Sequence, residues 1–239
     1  DPLTKSPDAP LRGTVIHDVL EVFINMGPWV DAPQAKTALL NLSSEMLKDL
    51  VPWPAARRMW QARVARFADW FVAGETKRQE ALLYSKTEVW GEVALPTLGF
   101  TLVGKADRVD VLHDGAAHIY DYKTGKPPSK DQQLHFDKQL LLEVEMLRQG
   151  GFERLGARQV VGATYIGLGN DPEDTAAPMD ETDVWAELSD LIRAYQDPEQ
   201  GYSARRAMLM ADASSVYDHL ARYGEWGTNQ SALLIKVSK

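Results

Sequence analysis

Three consecutive segments with strand periodicity constrain the fold most strongly. Residues 86–95, 100–112 and 117–123 are rich in Val, Thr and Tyr, and their apolar side chains alternate along the chain, which is typical of β-strands. The segments between them, LPTLG and HDGAA, are short and contain turn-forming residues. Strands joined by such short turns pair as an antiparallel meander. The chain is therefore expected to be built around a sheet.

The rest of the chain has mainly helical periodicity, with apolar side chains recurring every three or four positions. Residues 158–168 predict a fourth strand, and the helix that precedes it permits a parallel crossover. We predict an α/β fold in which helices flank a small mixed central sheet, made of a three-strand meander, a helix and a fourth strand. The predicted helices cover residues 13–26 (with Thr14 as N-cap), 33–50, 55–84, 131–149, 181–196 and 212–223.

The predicted domain organisation is simple. The first residues are rich in Pro and Asp and include no initiator Met, so we expect a linker and a domain excised from a longer polypeptide. The predicted parts are a flexible start at 1–12 and a single domain at 13–239, with a helical part at 13–84, an α/β core at 86–168 that also uses helix 13–26, and a C-terminal helical part at 181–239.

Composition excludes several classes of protein. The 239 residues suffice for one sizeable core, and the apolar runs are far shorter than a membrane span of ~20 residues. Cysteine is absent, which excludes disulfides, thiolate zinc sites and iron–sulfur clusters and fits a reducing compartment, so we expect a cytoplasmic protein. The net charge of −8 counts against strong autonomous binding of nucleic acid, although it leaves room for a local basic groove.

A cluster of charged residues follows the third predicted strand. In YDYKTGKPP, Asp121 and Lys123 are two positions apart and therefore point to the same face of a strand. Asp107, on the preceding strand, can lie near Asp121 across the hairpin. Two converging carboxylates are good ligands for Mg²⁺ or Mn²⁺. Taken alone, Asp121 and Lys123 could equally be an ordinary ion pair at the surface.

Four short motifs in one order resemble a known family. GKADRVD (104–110) and DYKTG (121–125) resemble the signature of PD-(D/E)XK nucleases, and in particular of their RecB-like branch. GTVIHDVL (13–20) resembles the upstream histidine motif of that branch, and Gln139-Leu140 its downstream helix motif. The segment 201–226 resembles the end of alphaproteobacterial AddB-type repair proteins.

The resemblance implies a role for each matched residue. His17, Asp107, Asp121 and the backbone carbonyl of Tyr122 would ligate Mg²⁺ or Mn²⁺, and Lys123 would act in catalysis with the two aspartates. Gln139 would orient the lysine or a DNA phosphate. Arg108 and Lys126 are further candidates for contacts with substrate. This chain has Glu143 where the family usually has Tyr, and it has no cysteine for the iron–sulfur cluster found in many AddB-type relatives.

The resemblance also implies a function. It predicts a metal-dependent deoxyribonuclease that acts on single-stranded or unwound DNA within a helicase–nuclease complex. The partner would be an AddA-type subunit, no membrane would be involved, and the pathway would be recombinational repair of double-strand breaks. Two alternatives remain: a catalytically inactive module of the same fold that serves as an interaction scaffold, and a nuclease of the same fold that acts on RNA or in another pathway.

The sequence allows two interpretations of some further residues. ARRMWQARVARF (56–67) could contact a DNA backbone, but we favour a helix with an apolar core face and a basic solvent face. Glu92 could approach the metal, but we favour a solvated strand residue. The histidines at 113, 118 and 135 lie near strands or loops without a nucleophilic serine.

Overall fold

The computed structural model describes residues 6–201, 218–220, 222 and 224–227. These belong to two compact units that divide after Thr182. The first unit contains five helices, α1 (Ala9–Asn25), α2 (Ala32–Leu50), α3 (Pro54–Arg78), α4 (Lys130–His135) and α5 (Gln139–Arg148), and five strands, β1 (Leu82–Leu95), β2 (Phe100–Leu112), β3 (Ala117–Lys123), β4 (Val160–Gly167) and β5 (Glu173–Ala176).

The strands form one mixed sheet in the order β1-β2-β3-β4-β5. Neighbouring strands are antiparallel, except that β3 and β4 are parallel and are connected through α4 and α5. The predicted mixed sheet flanked by helices is therefore confirmed. The fifth strand was missed, because its sequence EDTA is polar and mostly exposed and it pairs with β4 only at the sheet edge.

The first helix begins earlier than predicted. Asp8 caps it, since the Asp8 carboxylate accepts a hydrogen bond from the Leu11 N–H at 2.9 Å, and Pro10 occupies the first turn. The predicted N-cap, Thr14, is wrong: it lies inside the helix, where its hydroxyl donates to the Pro10 carbonyl. The part of segment 1–12 from Ala9 onward is therefore helical.

The predicted helix at 131–149 is two helices. Ser129 and Gln132 form a capping box at the start of α4. The chain leaves helical geometry at Phe136, which has φ −132°, and α5 then begins at Gln139. This break turns α5 so that it packs along β3 and β4.

The main hydrophobic core joins the three N-terminal helices to the centre of the sheet. Phe23 of α1 and Phe71 of α3 are fully buried and contact one another with ring centroids 6.0 Å apart. Phe71 also packs edge-on against Tyr122 of β3. Burying aromatic side chains of this size stabilises by roughly 2–3 kcal/mol each. The same packing fixes α1 and β3 relative to each other.

The second unit, from Asp183 onward, contains α6 (Val184–Gln196), which is capped by the Asp183 side chain. It begins three residues after the predicted start at 181. Most of the predicted helix at 212–223 and most of segment 201–226 lie outside the described residues, and residues 218–220 and 222, which are described, form turns. Among the helices that the structure describes, none combines the length and apolar character needed to cross a bilayer.

Candidate active site

Three consecutive residues that were predicted to belong to the site, Asp121, Tyr122 and Lys123, lie at the carboxyl-terminal end of β3. β3 lies between β2 and β4, and because side chains alternate along a strand, Tyr122 enters the core beneath α1 and α3 while Asp121 and Lys123 point to the other face. Asp121 is only 2% exposed, whereas Lys123 is half-buried. β3 therefore presents a buried carboxylate next to an accessible ammonium.

Asp121, Lys123 and two residues of α5 form one polar network. The Lys123 Nζ lies 2.9 Å from Asp121 Oδ2 and donates to Gln139 Oε1 at 3.3 Å. Gln139 Nε2 donates both to Asp121 Oδ1 at 2.8 Å and to Glu143 Oε1 at 3.1 Å. Gln139 and Glu143 are one helical turn apart and so project from the same side of α5. The structure thus brings Gln139 and Glu143 to the predicted Asp121–Lys123 pair.

A second cluster forms where α1 meets the β1–β2 hairpin. The Nδ1 of His17 lies 3.4 Å from Asp107 Oδ2, which also accepts a hydrogen bond from the Tyr122 N–H at 2.8 Å. Glu88 of β1 joins them, and one ligand atom from each of His17, Glu88 and Asp107 lies within 4.8 Å of the other two. Asp121 lies outside this group of three, although its charge still interacts with that of Asp107.

Glu88 is the residue that sequence reasoning missed. The register pairs Thr87 with Arg108 and Val89 with Ala106, which sets Glu88 opposite Asp107. Its φ of 51° departs from strand geometry. Glu88 also forms an ion pair with Lys105. The hairpin register across LPTLG was the available signal, whereas Glu92, the acidic residue considered beforehand, pairs with Val103 and is exposed.

Burial and mutual charge shift the pKa values of the acidic groups. Burial, together with the charge of Asp107, raises the pKa of Asp121 to about 6, and the nearby Lys123 opposes that rise. Burial raises the pKa of Glu143 to about 8. For His17, burial alone would lower the pKa, but the hydrogen bond and charge of Asp107 outweigh it and the pKa is raised. The carboxyl groups of the site therefore outnumber its two cationic side chains, Lys123 and the protonated form of His17.

The residues present fit a hard divalent cation. Carboxylate oxygens with one imidazole suit Mn²⁺ or Mg²⁺. The buried Asp121 Oδ2 has the Lys123 ammonium as its ion-pair partner at 2.9 Å. By contrast, the second carboxyl oxygen of Glu143, Oε2, is buried without a hydrogen-bond partner among the described residues. A buried carboxyl oxygen without a partner is costly unless a cation or another ligand compensates it.

The predicted contact of Arg108 with substrate is contradicted. Its side chain is fully buried, forms a bidentate pair with Asp110 (both distances 2.7 Å) and donates to Glu75 of α3 at 2.7 Å. Because successive strand residues face opposite sides, Arg108 points beneath α3. Lys126, the other candidate, is exposed in the loop after β3, and its role stays a prediction.

Comparison with known proteins identifies the family. The sequence profile described as the PD-(D/E)XK nuclease superfamily matches residues 2–223, which is most of the chain. The chain belongs to the PD-(D/E)XK nuclease superfamily. The mixed sheet flanked by helices is consistent with this family, and the chain is accordingly a nuclease-type domain.

Relatives of this PD-(D/E)XK domain occur in Rickettsia. Proteins from Rickettsia bellii and Rickettsia felis are 26% identical over 155 residues and 27% identical over 180 residues, covering 64% and 71% of this chain. A Rickettsia conorii protein is 27% identical over 165 residues, or 64% of this chain. All three are described as uncharacterized. The matched regions are 19–20% of the relatives' lengths, so the chain spans about a fifth of the curated relatives it matches.

Proposed function

We propose that this domain is a Mg²⁺- or Mn²⁺-dependent deoxyribonuclease that hydrolyses phosphodiester bonds. The supporting observation is the convergence of two clusters from distant parts of the chain. One is the His17–Glu88–Asp107 donor set. The other is the Asp121–Lys123 pair that Gln139 restrains. A cation site beside a half-buried ammonium can both activate a water and stabilise charge on a phosphoryl oxygen, as phosphodiester hydrolysis needs.

Each side chain has a defined part in this proposal. A divalent cation bound at these donors would supply positive charge that lowers the pKa of water and stabilises developing charge on a phosphoryl oxygen. Asp121 and Gln139 hold the Lys123 ammonium, which donates hydrogen bonds to a water or to a phosphoryl oxygen. The Tyr122 N–H fixes Asp107, so that its carboxylate keeps one orientation toward His17.

The predicted ligand set is extended by one residue. His17, Asp107, Asp121 and the Tyr122 carbonyl remain proposed ligands, and Glu88 is added because it lies with His17 and Asp107. Glu143 stands close to Gln139 in place of the usual Tyr. We assign it the role of holding the Gln139 amide, which in turn holds Asp121.

The test is cleavage of a labelled single-stranded DNA by the whole chain with Mn²⁺, Mg²⁺ or EDTA. We expect cleavage with the metals only, and at least a hundredfold loss in Asp107→Asn and Lys123→Ala, since the first removes a proposed metal ligand and the second removes the ammonium that contacts the reacting phosphate. A single-stranded RNA of the same sequence runs in parallel. Preferential cleavage of RNA rejects the DNA assignment. Failure to bind Mn²⁺ by calorimetry, together with no cleavage, favours the inactive scaffold module instead.

We further propose that the domain belongs to the RecB-like branch and works in an AddB-type protein, within a helicase–nuclease complex that processes double-strand breaks. Support comes from the order of the four motifs and from the small share of longer relatives that the domain covers. An AddA-type helicase subunit would supply the unwound strand. Co-expression of the domain in its full-length setting with such a subunit, followed by gel filtration, tests this, and separate elution of the two proteins contradicts it.

A further inference from the structure

Three arginines converge beside the loop that follows β3. Arg12 lies on α1, five residues before His17, while Arg63 and Arg66 are one turn apart on α3. Arg63 Nη1 donates to the carbonyl of Thr124 at 3.1 Å. Thr124 follows Lys123 directly, and its Oγ1 is 3.9 Å from the position that a Cβ would take at residue 13, next to Arg12. We call Arg12, Arg63 and Arg66 the arginine cluster.

The arginine cluster lacks compensating charge. Among the described residues, no carboxylate forms an ion pair with any of the three, in a chain whose net charge is −8. Arg12 Nε is buried without a hydrogen-bond partner in the described part of the chain. Burial lowers the pKa of Arg63, and the crowding of like charges from Arg12 and Arg66 lowers it further. Such crowding costs free energy unless an anion offsets it.

Two loops of the sheet meet beside the arginine cluster. The loop after β3 and the loop after β4 lie against each other, and a Cβ added at Gly169 would be 3.3 Å from the Gly125 carbonyl oxygen. Arg66 Nη1 donates to Asn170 Oδ1 at 2.6 Å, so this guanidinium is held at the second loop while remaining exposed. Guanidinium groups offer several N–H donors and suit phosphate oxygens better than ammonium groups do.

We propose that the arginine cluster binds backbone phosphates of the nucleic-acid strand, next to the phosphodiester that is cut at Lys123. The inference rests on the proposed function, because the cluster borders that site through Thr124. It also revises the interpretation of segment 56–67 as a helix whose basic face is only solvated, because Arg63 and Arg66 are now assigned to contacts with the nucleic-acid strand. Arg58 lines the groove between α2 and α3 and is not assigned to such contacts. Contacts of this kind carry no base sequence preference.

The test measures binding separately from cleavage. A fluorescein-labelled oligothymidylate is titrated with the whole chain in EDTA, by fluorescence anisotropy at several salt concentrations. Each of Arg12→Gln, Arg63→Gln and Arg66→Gln is expected to reduce the salt dependence of log K by about 0.7, which corresponds to about fivefold weaker binding at about 0.1 M salt. Arg58→Gln, with the same charge change on the same helix, is the matched control and should bind as the parent does.

Conservative replacement distinguishes a phosphate contact from a structural role. Arg66→Lys keeps the charge, so it should retain the parent's salt dependence while losing part of the affinity. Equal binding by the parent and the three Gln variants, an equal loss in Arg58→Gln, or no binding by the parent overturns the inference. If the parent binds but cuts nothing with Mn²⁺, the proposed function fails, whereas the salt dependences still decide whether the cluster is a phosphate site.

Discussion

At the scale of single residues, the candidate cation site depends on which carboxylates lie close to His17 and Asp107. Glu88 and Glu92 are both acidic residues of β1, but only Glu88 lies with His17 and Asp107. The register sets Glu88 opposite Asp107 and Glu92 opposite Val103, and Glu88 has a positive φ of 51°, which is uncommon for a residue other than Gly. Which acidic residue serves the site is therefore decided by backbone geometry and not by composition.

Glu88→Gln should lower the affinity for Mn²⁺ by at least tenfold, because an amide is a weaker ligand than a carboxylate and supporting groups alone contribute 10–100-fold. Isothermal calorimetry with the whole chain measures this. Glu92→Gln is the matched control, since it makes the same change on the same strand at an exposed position. Similar affinities in both variants would remove Glu88 from the site.

His118 gives a pH dependence that is separate from the candidate site. Its ring stacks on Tyr120 and is hydrogen-bonded to Thr164, and burial lowers its pKa from 6.5 to about 4. As the pH falls below 6.5, the unfolded chain takes up this proton before the folded chain does. The contribution to stability is therefore complete above pH 6.5 and is lost as the pH falls towards 4.

Urea unfolding at several pH values tests this prediction. Between neutral pH and pH 4, the free energy of unfolding of the parent should fall by up to about 3 kcal/mol more than that of His118→Gln, because the pKa of His118 is about 4 in the folded chain and 6.5 in the unfolded chain. Carboxyl groups titrate in the same pH range in both proteins. The relevant quantity is therefore the difference between the parent and His118→Gln in how the free energy of unfolding depends on pH. Parallel curves would mean that His118 keeps an ordinary pKa when folded.

At the scale of elements, a buried charge network joins α3 to the sheet. Arg108 of β2 binds both Glu75 of α3 and Asp110 of its own strand, and all three side chains are at most 1–2% exposed. Arg78 adds a second cation to Glu75 at 2.8 Å. Removing a buried cation leaves its carboxylates uncompensated, which costs far more than breaking a pair at the surface.

Arg108→Met should destabilise the fold by about 3–5 kcal/mol, because Glu75 and Asp110 would remain buried without their main partner. Lys36→Met is the comparison: it breaks the exposed pair with Asp69 and should cost about 1 kcal/mol or less. Chemical unfolding of both variants supplies the values. A loss below about 1 kcal/mol in Arg108→Met would show that the network is not structural.

At the scale of the whole molecule, strands were more predictable than the contacts between distant elements. β2 and β3 have the predicted bounds because their alternation is strong, and their ends are fixed by short turns. β5 has no such alternation and depends on the neighbouring strand for its pairing. The motifs pointed to His17, Asp107, Asp121, Lys123 and Gln139, but their contacts depend on how α1 and α5 pack against the sheet.

Two site assignments could not be made from sequence alone. Arg108 belongs to GKADRVD, yet only the packing of α3 over one face of the sheet shows that its side chain turns inward. Glu88 belongs to no recognised motif, and its place follows from the register of β1 against β2 and from an unusual backbone angle. The positions of Arg108 and Glu88 both depend on which neighbouring element packs against the strand. The sequence around each residue does not determine this.

The candidate active site draws on residues from His17 to Glu143. During synthesis, a ribosome would have to release the chain through Glu143 before the α5 side chains could meet Asp121 and Lys123. A chain interrupted earlier, or unfolded later, has the acidic residues but not their arrangement. Any chemistry of the candidate site is therefore confined to the fully synthesised and folded domain.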